Sequence, residues 1–419
     1  MKHKAFLGFI PFLALALIML SSLLFLSGCL DSDKEEDIML TDTAEASSGT
    51  DSEDTAEGSD SETYLTEADT TESAVPVAES MPETETETET EEDTTAEEEE
   101  DVIPTYFNPL TGLGTDTDLS SARPVAIMIN NIKKANPSYG LSDADVIYEC
   151  LAEGGITRLL MISLDYSNLG VVGSIRSSRP YYITFAFDYG AIYIHAGGSD
   201  DAYAMLKSSG IAYLDGVNMY LPDMFYRDST RWSTMGYEHS LMTTGSRIVS
   251  GIAYKGYRTT KSSSVNYPLS FVEYGESANL SGMSGSQNAA GVTLKYSSSQ
   301  TVDFKYNEAT GEYLRYQFGG SKHIDGATGE QLSFKNVIII LTDISEIEGD
   351  DAGRLSVVTT GSGNGYYISE GVAVPIKWSR KSDTSGITYT NSDGGSLTFN
   401  RGTTFVCVFD KDSYYKIEG

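Results

Sequence analysis

Residues 30–101 carry 29 Asp/Glu and a single Lys, a net charge of −28 in 72 residues, and such a stretch has nothing to build a core from. The alternating run Glu83-Thr84-Glu85-Thr86-Glu87-Thr88-Glu89-Thr90-Glu91 has the period of a strand. Its like charges repel, however, and neither face is apolar, so disorder is expected. As a flexible coil the segment spans roughly 45–50 Å, and self-repulsion extends it further. The remaining 318 residues, 102–419, hold 32 acids and 25 bases, a net of only −7. That length suits two cores of roughly 100–200 residues each. With a net charge of −33 and three cysteines, the 419-residue chain is neither one globular domain nor a disulfide-stapled mini-protein. Binding nucleic acid through bulk positive charge is excluded too.

The first residues place the chain. Met1-Lys2-His3-Lys4 is basic, and Ala5 to Leu26 is almost wholly apolar. Leu26-Ser27-Gly28-Cys29 resembles a bacterial lipobox, in which a peptidase cuts before the cysteine and the thiol carries diacylglycerol. The expectation is a signal peptide over 1–28, lipidation at Cys29, and a chain held on the outer face of the bacterial cytoplasmic membrane. Two acyl chains suffice for a stable anchor. An uncleaved membrane anchor is the alternative. The other cysteines, Cys150 and Cys407, lie in apolar runs without metal or redox spacing, and buried free thiols are expected.

After the tether (29–103) the pattern becomes globular. Val125 to Ile129 reads as a buried strand. Val146 to Glu153 and Ile156 to Ile162 read as a hairpin through Gly154-Gly155. In that register Leu151 opposes Arg158, which reaches both Glu149 and Glu153, while Tyr148, Cys150, Ala152, Leu159 and Met161 share a core face. Two strand–loop–helix units follow: Val171 to Ile175 with a helix over 181–189 that starts at Pro180, and Ala191 to His195 with a helix over 200–209. Ser199 suits the N-cap of the second helix and Gly210 its stop. These units predict an α/β layered domain over 104–262. A Ser/Gly/Asn-rich linker is expected over 263–289. Short strands separated by turns then predict an all-β domain, sandwich or barrel-like, over 290–419.

Several motifs carry a resemblance. Asn108-Pro109-Leu110-Thr111-Gly112, Arg123-Pro124-Val125, Leu141-Ser142-Asp143-Ala144-Asp145 and Glu153-Gly154-Gly155-Ile156-Thr157-Arg158 come first. Gly173-Ser174-Ile175-Arg176-Ser177-Ser178-Arg179-Pro180 and His195-Ala196-Gly197-Gly198-Ser199 follow. Together they resemble the YerB-like bacterial lipoproteins over roughly 107–410. The resemblance implies a Gram-positive envelope lipoprotein with two domains of unknown function. Relatives have Pro-His-Asn where this chain has Glu238-His239-Ser240. The order of elements in the first domain also resembles the LytR–CpsA–Psr phosphotransferases, in which arginines hold a polyprenyl pyrophosphate and acidic residues bind magnesium. Here Arg176 is followed by Ser177, where that family has an Arg-Asp pair.

The residues themselves suggest an anion site. Arg176 and Arg179 fall where a strand meets a helix N-terminus, and guanidinium forks suit phosphate or carboxylate. His195 and Ser199 occupy the equivalent place in the next unit. If the two strands are parallel neighbours, these groups converge at the sheet's carboxyl edge with Arg158. Arg227, Asp228, Arg231 and His239 form a second polar group placed to close over it. The plainer alternatives are an ion-pair network for Arg158, Glu149 and Glu153, a satisfied core position for His195, and a surface position for His323. No nucleophile motif, dinucleotide fingerprint or structural metal set is present.

Three functions follow. One is a non-enzymatic lipoprotein binding an anionic envelope ligand or partner, such as cell-wall glycan or a lipid-linked precursor. Another is a phosphotransferase on polyprenyl-pyrophosphate-linked glycans, with Glu149 or Glu153 helping to hold magnesium. The last is a scaffold for cell-wall enzymes.

Overall fold

The computed structural model describes residues 103–419. The signal segment, Cys29 and all of the acidic tether but Ile103 lie outside the described residues. Within them, an α/β-like first segment is followed by a sheet-rich second one, and no closed barrel forms.

One eleven-stranded sheet runs through both segments. Its order is Gln287–Asn288, Val372–Arg380, Gly361–Ser369, Asn336–Thr342, Thr404–Asp410, Val146–Leu151, Thr157–Ser163, Val125–Asn130, Ile192–His195 and Tyr213–Asp215, with Thr388–Asn391 added beside Val372–Arg380. Thr404–Asp410 is the joint. It pairs in parallel with Asn336–Thr342 on one side and with Val146–Leu151 on the other. Its Phe405-Val406-Cys407-Val408-Phe409 run is buried throughout, as a parallel strand covered on both faces requires. The 263–289 stretch packs down as well, with Leu269, Ala278 and Leu280 in the core.

Helices α1 (Pro180–Phe187) and α2 (Asp200–Ser209) cover one face of the sheet. Tyr182, Phe185, Ala186, Ala202 and Leu206 meet Tyr148, Cys150, Leu160 and Ile162 there. The caps of α2 are those expected. Ser199 Oγ accepts from Ala202 N at 3.3 Å, and Gly210 adopts φ 72°. Fully burying side chains of this size stabilises the fold by about 1.5–3 kcal/mol each. The other face takes a second, six-stranded sheet, where Val292, Leu294, Phe304 and Tyr313 pack on Ile147, Leu159 and Phe405. Cys150 and Cys407 are both buried free thiols, on opposite faces.

Each face also carries one buried ion pair joining the segments. Asp188, just after α1, accepts from Arg380 Nη2 at 2.9 Å, from Tyr148 Oη at 3.1 Å and from Ile387 N at 2.8 Å. On the opposite face Glu149 Oε2 accepts from Arg315 Nη2 at 2.7 Å. Its Oε1 accepts from Thr157, Asn131 and Gln300. The second guanidinium nitrogen of Arg315 bonds Gln317 and His323. His323 is thus wholly buried, not the surface residue its place in the β segment suggests.

Candidate functional site

The hairpin turn settles where the first arginine points. Glu153, Gly154 and Gly155 form a three-residue turn, with φ 67° and 70° at the glycines, closed by Ala152 N donating to Ile156 O. One residue more than a Gly-Gly link moves the register by one, so Leu151 faces Thr157 and Arg158 faces Cys150. Because side chains alternate, that slip sends each to the other face. Leu159 and Met161 leave the face of Tyr148 and Cys150, and Arg158 parts from Glu149. Glu149 and Glu153 therefore do not meet. In the phosphotransferase reading Glu149 or Glu153 helps to hold magnesium, and each of these carboxylates is already paired with arginine, Glu149 with Arg315 and Glu153 with Arg158 and Arg179.

Arg158 and Arg179 converge on a single carboxylate. Glu153 Oε1 accepts from Arg158 Nη2 at 2.5 Å and from Arg179 Nη2, and its Oε2 accepts from Arg179 Nε at 3.0 Å. Arg158 also donates to Ser177 O, and Arg179 to Ser178 O. Burial alone would raise the pKa of Glu153, but the two guanidiniums outweigh it and hold the carboxyl at about 2. Both arginines are buried, so they hold the hairpin turn to the start of α1 and present little to solvent.

The convergence is real, but its route differs from the one expected. Val171–Gly173 is not a neighbour of Ile192–His195; it belongs to a three-stranded sheet with Leu241–Thr244 and Tyr226–Arg227. The residues after it are threaded between two strand ends. Arg176 N donates to Met128 O, Ala196 N to Arg176 O, and Ser178 N to Gly197 O. Thus Arg158, Arg176, Arg179, His195 and Ser199 all stand at the carboxyl edge of Val125–Asn130 and Ile192–His195, where α/β sheets bind ligands.

What each group can do there is narrower than its residue type suggests. His195 is sealed. Its Nδ1 donates to Gly197 O at 2.8 Å, its Nε2 has no hydrogen-bond partner, and its ring stacks on Tyr193 and Tyr213. Burial pushes its pKa down against the pull of Asp215. The Ser199 hydroxyl is occupied by the α2 cap. Arg231 donates to three carbonyls, those of His239, Pro137 and Ala135, and Asp228 caps α3 (Ser229–Met235). Arg227 donates to Tyr237 O at 2.6 Å and lies over that ring.

The polar group over the site reaches it through Glu238, which the sequence marks only as a departure from the Pro-His-Asn of relatives. Glu238 accepts from Arg176 Nη1 at 3.3 Å, and its other oxygen accepts from His239 Nε2 at 3.1 Å. The His239 Nδ1 accepts from Asn130 at 3.0 Å, which puts the ring proton on Nε2, toward Glu238. Burial lowers the pKa of His239, while Glu238 raises it. A half-exposed carboxylate therefore sits between a guanidinium and an imidazole N–H.

The family model described as "Protein of unknown function (DUF3048) N-terminal domain" matches residues 110–258, and that of the corresponding C-terminal domain matches 292–406. The chain belongs to the DUF3048 family. DUF3048 residues from both matched segments build the central sheet, and the two buried ion pairs that join the segments each take the carboxylate from the first and the arginine from the second. Within the family, the putative lipoprotein YerB of Bacillus subtilis is 28% identical over 317 residues, covering 74% of this chain and 89% of its own. The crystal structure of the YerB protein from Bacillus subtilis matches with a TM-score of 0.63 and 28% identity. It covers 75% of this chain and 99% of that one.

Proposed function

We propose that this chain is a lipoprotein anchored through Cys29 to the outer face of a Gram-positive cytoplasmic membrane, and that its folded part binds an anionic envelope ligand or partner without catalysis. The lipobox-like Leu26-Ser27-Gly28-Cys29 and the likeness to a putative lipoprotein support the anchor. Replacing Cys29 with Ser is expected to abolish incorporation of labelled fatty acid and to release the protein from the membrane fraction. Retention of the label in that variant would refute the anchor.

The observation that carries the binding reading is the Glu238 carboxylate held by Arg176 and His239. That seat already accommodates an anion. Because Glu238 is half-exposed, its pair with Arg176 is worth no more than about 1 kcal/mol, and an incoming phosphate or carboxylate can displace it. Catalysis is disfavoured because Arg158 and Arg179 are tied to Glu153, and Glu149 to Arg315. Calorimetric titration of the full chain with inorganic pyrophosphate tests this. Glu238→Gln should tighten binding by about two- to fivefold, and Arg176→Ala should remove it. Equal affinity in all three proteins would sink the reading.

A further inference from the structure

A cleft of about 680 Å³ opens at the edge strand Tyr213–Asp215, and its lining includes neither Arg176, Glu238 nor His239. One wall is a single face of α2: Asp200, Tyr203, Ala204 and Lys207, spaced i, i+3, i+4 and i+7. The opposite face of the helix, Ala202 and Leu206, is buried in the core. Tyr213 lines the cleft too, and Asn218 and Met219 complete it. Ala204 is exposed and small, so a hollow lies between the tyrosine and lysine side chains.

This lining is held rigidly. The Tyr213 ring stacks on His195 at 5.8 Å, and His195 stacks on Tyr193 at 5.2 Å, so three rings rest in series on the sheet. Tyr203 Oη donates to the wholly buried Asp215 at 2.9 Å, and Asn218 Nδ2 donates to the same oxygen at 3.2 Å. The other oxygen of Asp215 accepts from Gly197 N and Val217 N. One buried carboxylate thus fixes a ring, an amide and two loops before any ligand arrives, which lowers the ordering cost of binding.

The ligand class follows from the lining. Two tyrosine rings offer flat, electron-rich faces with polar tips, flanked by one carboxylate acceptor, one amide and one ammonium donor. Asp200 and Asp215 disfavour a phosphate, and the polar rim disfavours an acyl chain. We infer that the cleft binds a pyranose oligosaccharide, with one sugar ring on Tyr213 and its hydroxyls on Asp200, Asn218 and Lys207. The volume lies in the range of about 300–1,000 Å³ usual for small-ligand sites. The inference rests on the envelope reading only for the source of the sugar.

The test is calorimetry on the full chain in a detergent without a sugar headgroup, using β-1,4-linked N-acetylglucosamine trimer and, separately, cellotriose. Saturable binding of at least one trimer is expected. Tyr213→Ala should weaken it at least about tenfold. Ala204→Arg, which fills the hollow from an exposed helix position and leaves the core alone, should do the same. Neither variant should alter the pyrophosphate titration, and Arg176→Ala should leave the sugar titration unchanged, so the two sites can fail independently. No binding of either trimer, or binding that both variants leave intact, overturns the inference.

Discussion

Replacing Arg315 with Met is expected to lower the unfolding free energy by about 3–5 kcal/mol, a large share of the roughly 5–15 kcal/mol that holds a typical domain together. The cause is what the substitution leaves behind. Glu149 is wholly buried, and Arg315 is its sole cationic partner among the described residues. Without it a carboxylate stays in the core with only the neutral donors Thr157, Asn131 and Gln300. Adding Glu149→Gln should therefore recover at least half of the loss, because the buried charge disappears and the unpartnered oxygens of Asn131 and Gln300 gain a donor nearby. Urea unfolding with an unchanged m-value is the measurement. A single-variant cost below about 1 kcal/mol would show that water reaches the pair. The same experiment should give one transition and not two. The sheet passes through both family segments, and a buried ion pair crosses between them on each face.

Much of the fold was legible in the sequence, for local reasons. Helix α2 was readable at both ends because Ser199 caps it and Gly210 stops it, signals that act within a single turn. The strands were readable from their apolar runs. What periodicity cannot supply is partners. Nothing in Phe405 to Phe409 says that the strand will lie against Val146–Leu151, although an apolar run without alternation does indicate burial on both faces. The Glu149–Arg315 and Asp188–Arg380 pairs span 166 and 192 residues and leave no local trace. The site was half legible. Arg158, Arg176 and Arg179 do gather at one sheet edge. Yet which carboxylate Arg158 meets turned on one residue in a turn, because the three-residue link moved it away from Glu149 and left it with Glu153. Glu238 stood out only as a departure from the Pro-His-Asn of relatives, and nothing in the local pattern ties it to Arg176.

Acid should expose the second large effect, at Glu153. Its carboxyl titrates at about 2 in the folded protein, against about 4.3 for a free glutamate. A depressed carboxyl stabilises the native state fully above its unfolded pKa and loses that contribution as pH falls through the folded one. The window is therefore about pH 4.5 down to pH 2. Its depth is about 2–3 kcal/mol, from 1.36 kcal/mol per unit with an allowance for partial solvent access. Glu153→Gln removes the charge that both guanidiniums share. At pH 7 the variant should be less stable than the parent by at least that amount, since Arg158 and Arg179 then repel each other inside the protein. Below pH 4.5 the two unfolding curves should approach one another, and near pH 2 they should almost coincide. Plotting the difference between them cancels the other carboxylates that titrate in the same range. A difference that stays constant from pH 7 to pH 2 would mean that the pair of arginines does not depend on the Glu153 charge. In that case the hairpin would be held to the start of α1 by the Arg158 bond to Ser177 O and by the Tyr181 and Tyr182 hydroxyls, which donate to the carbonyls of Leu151, Cys150 and Arg158.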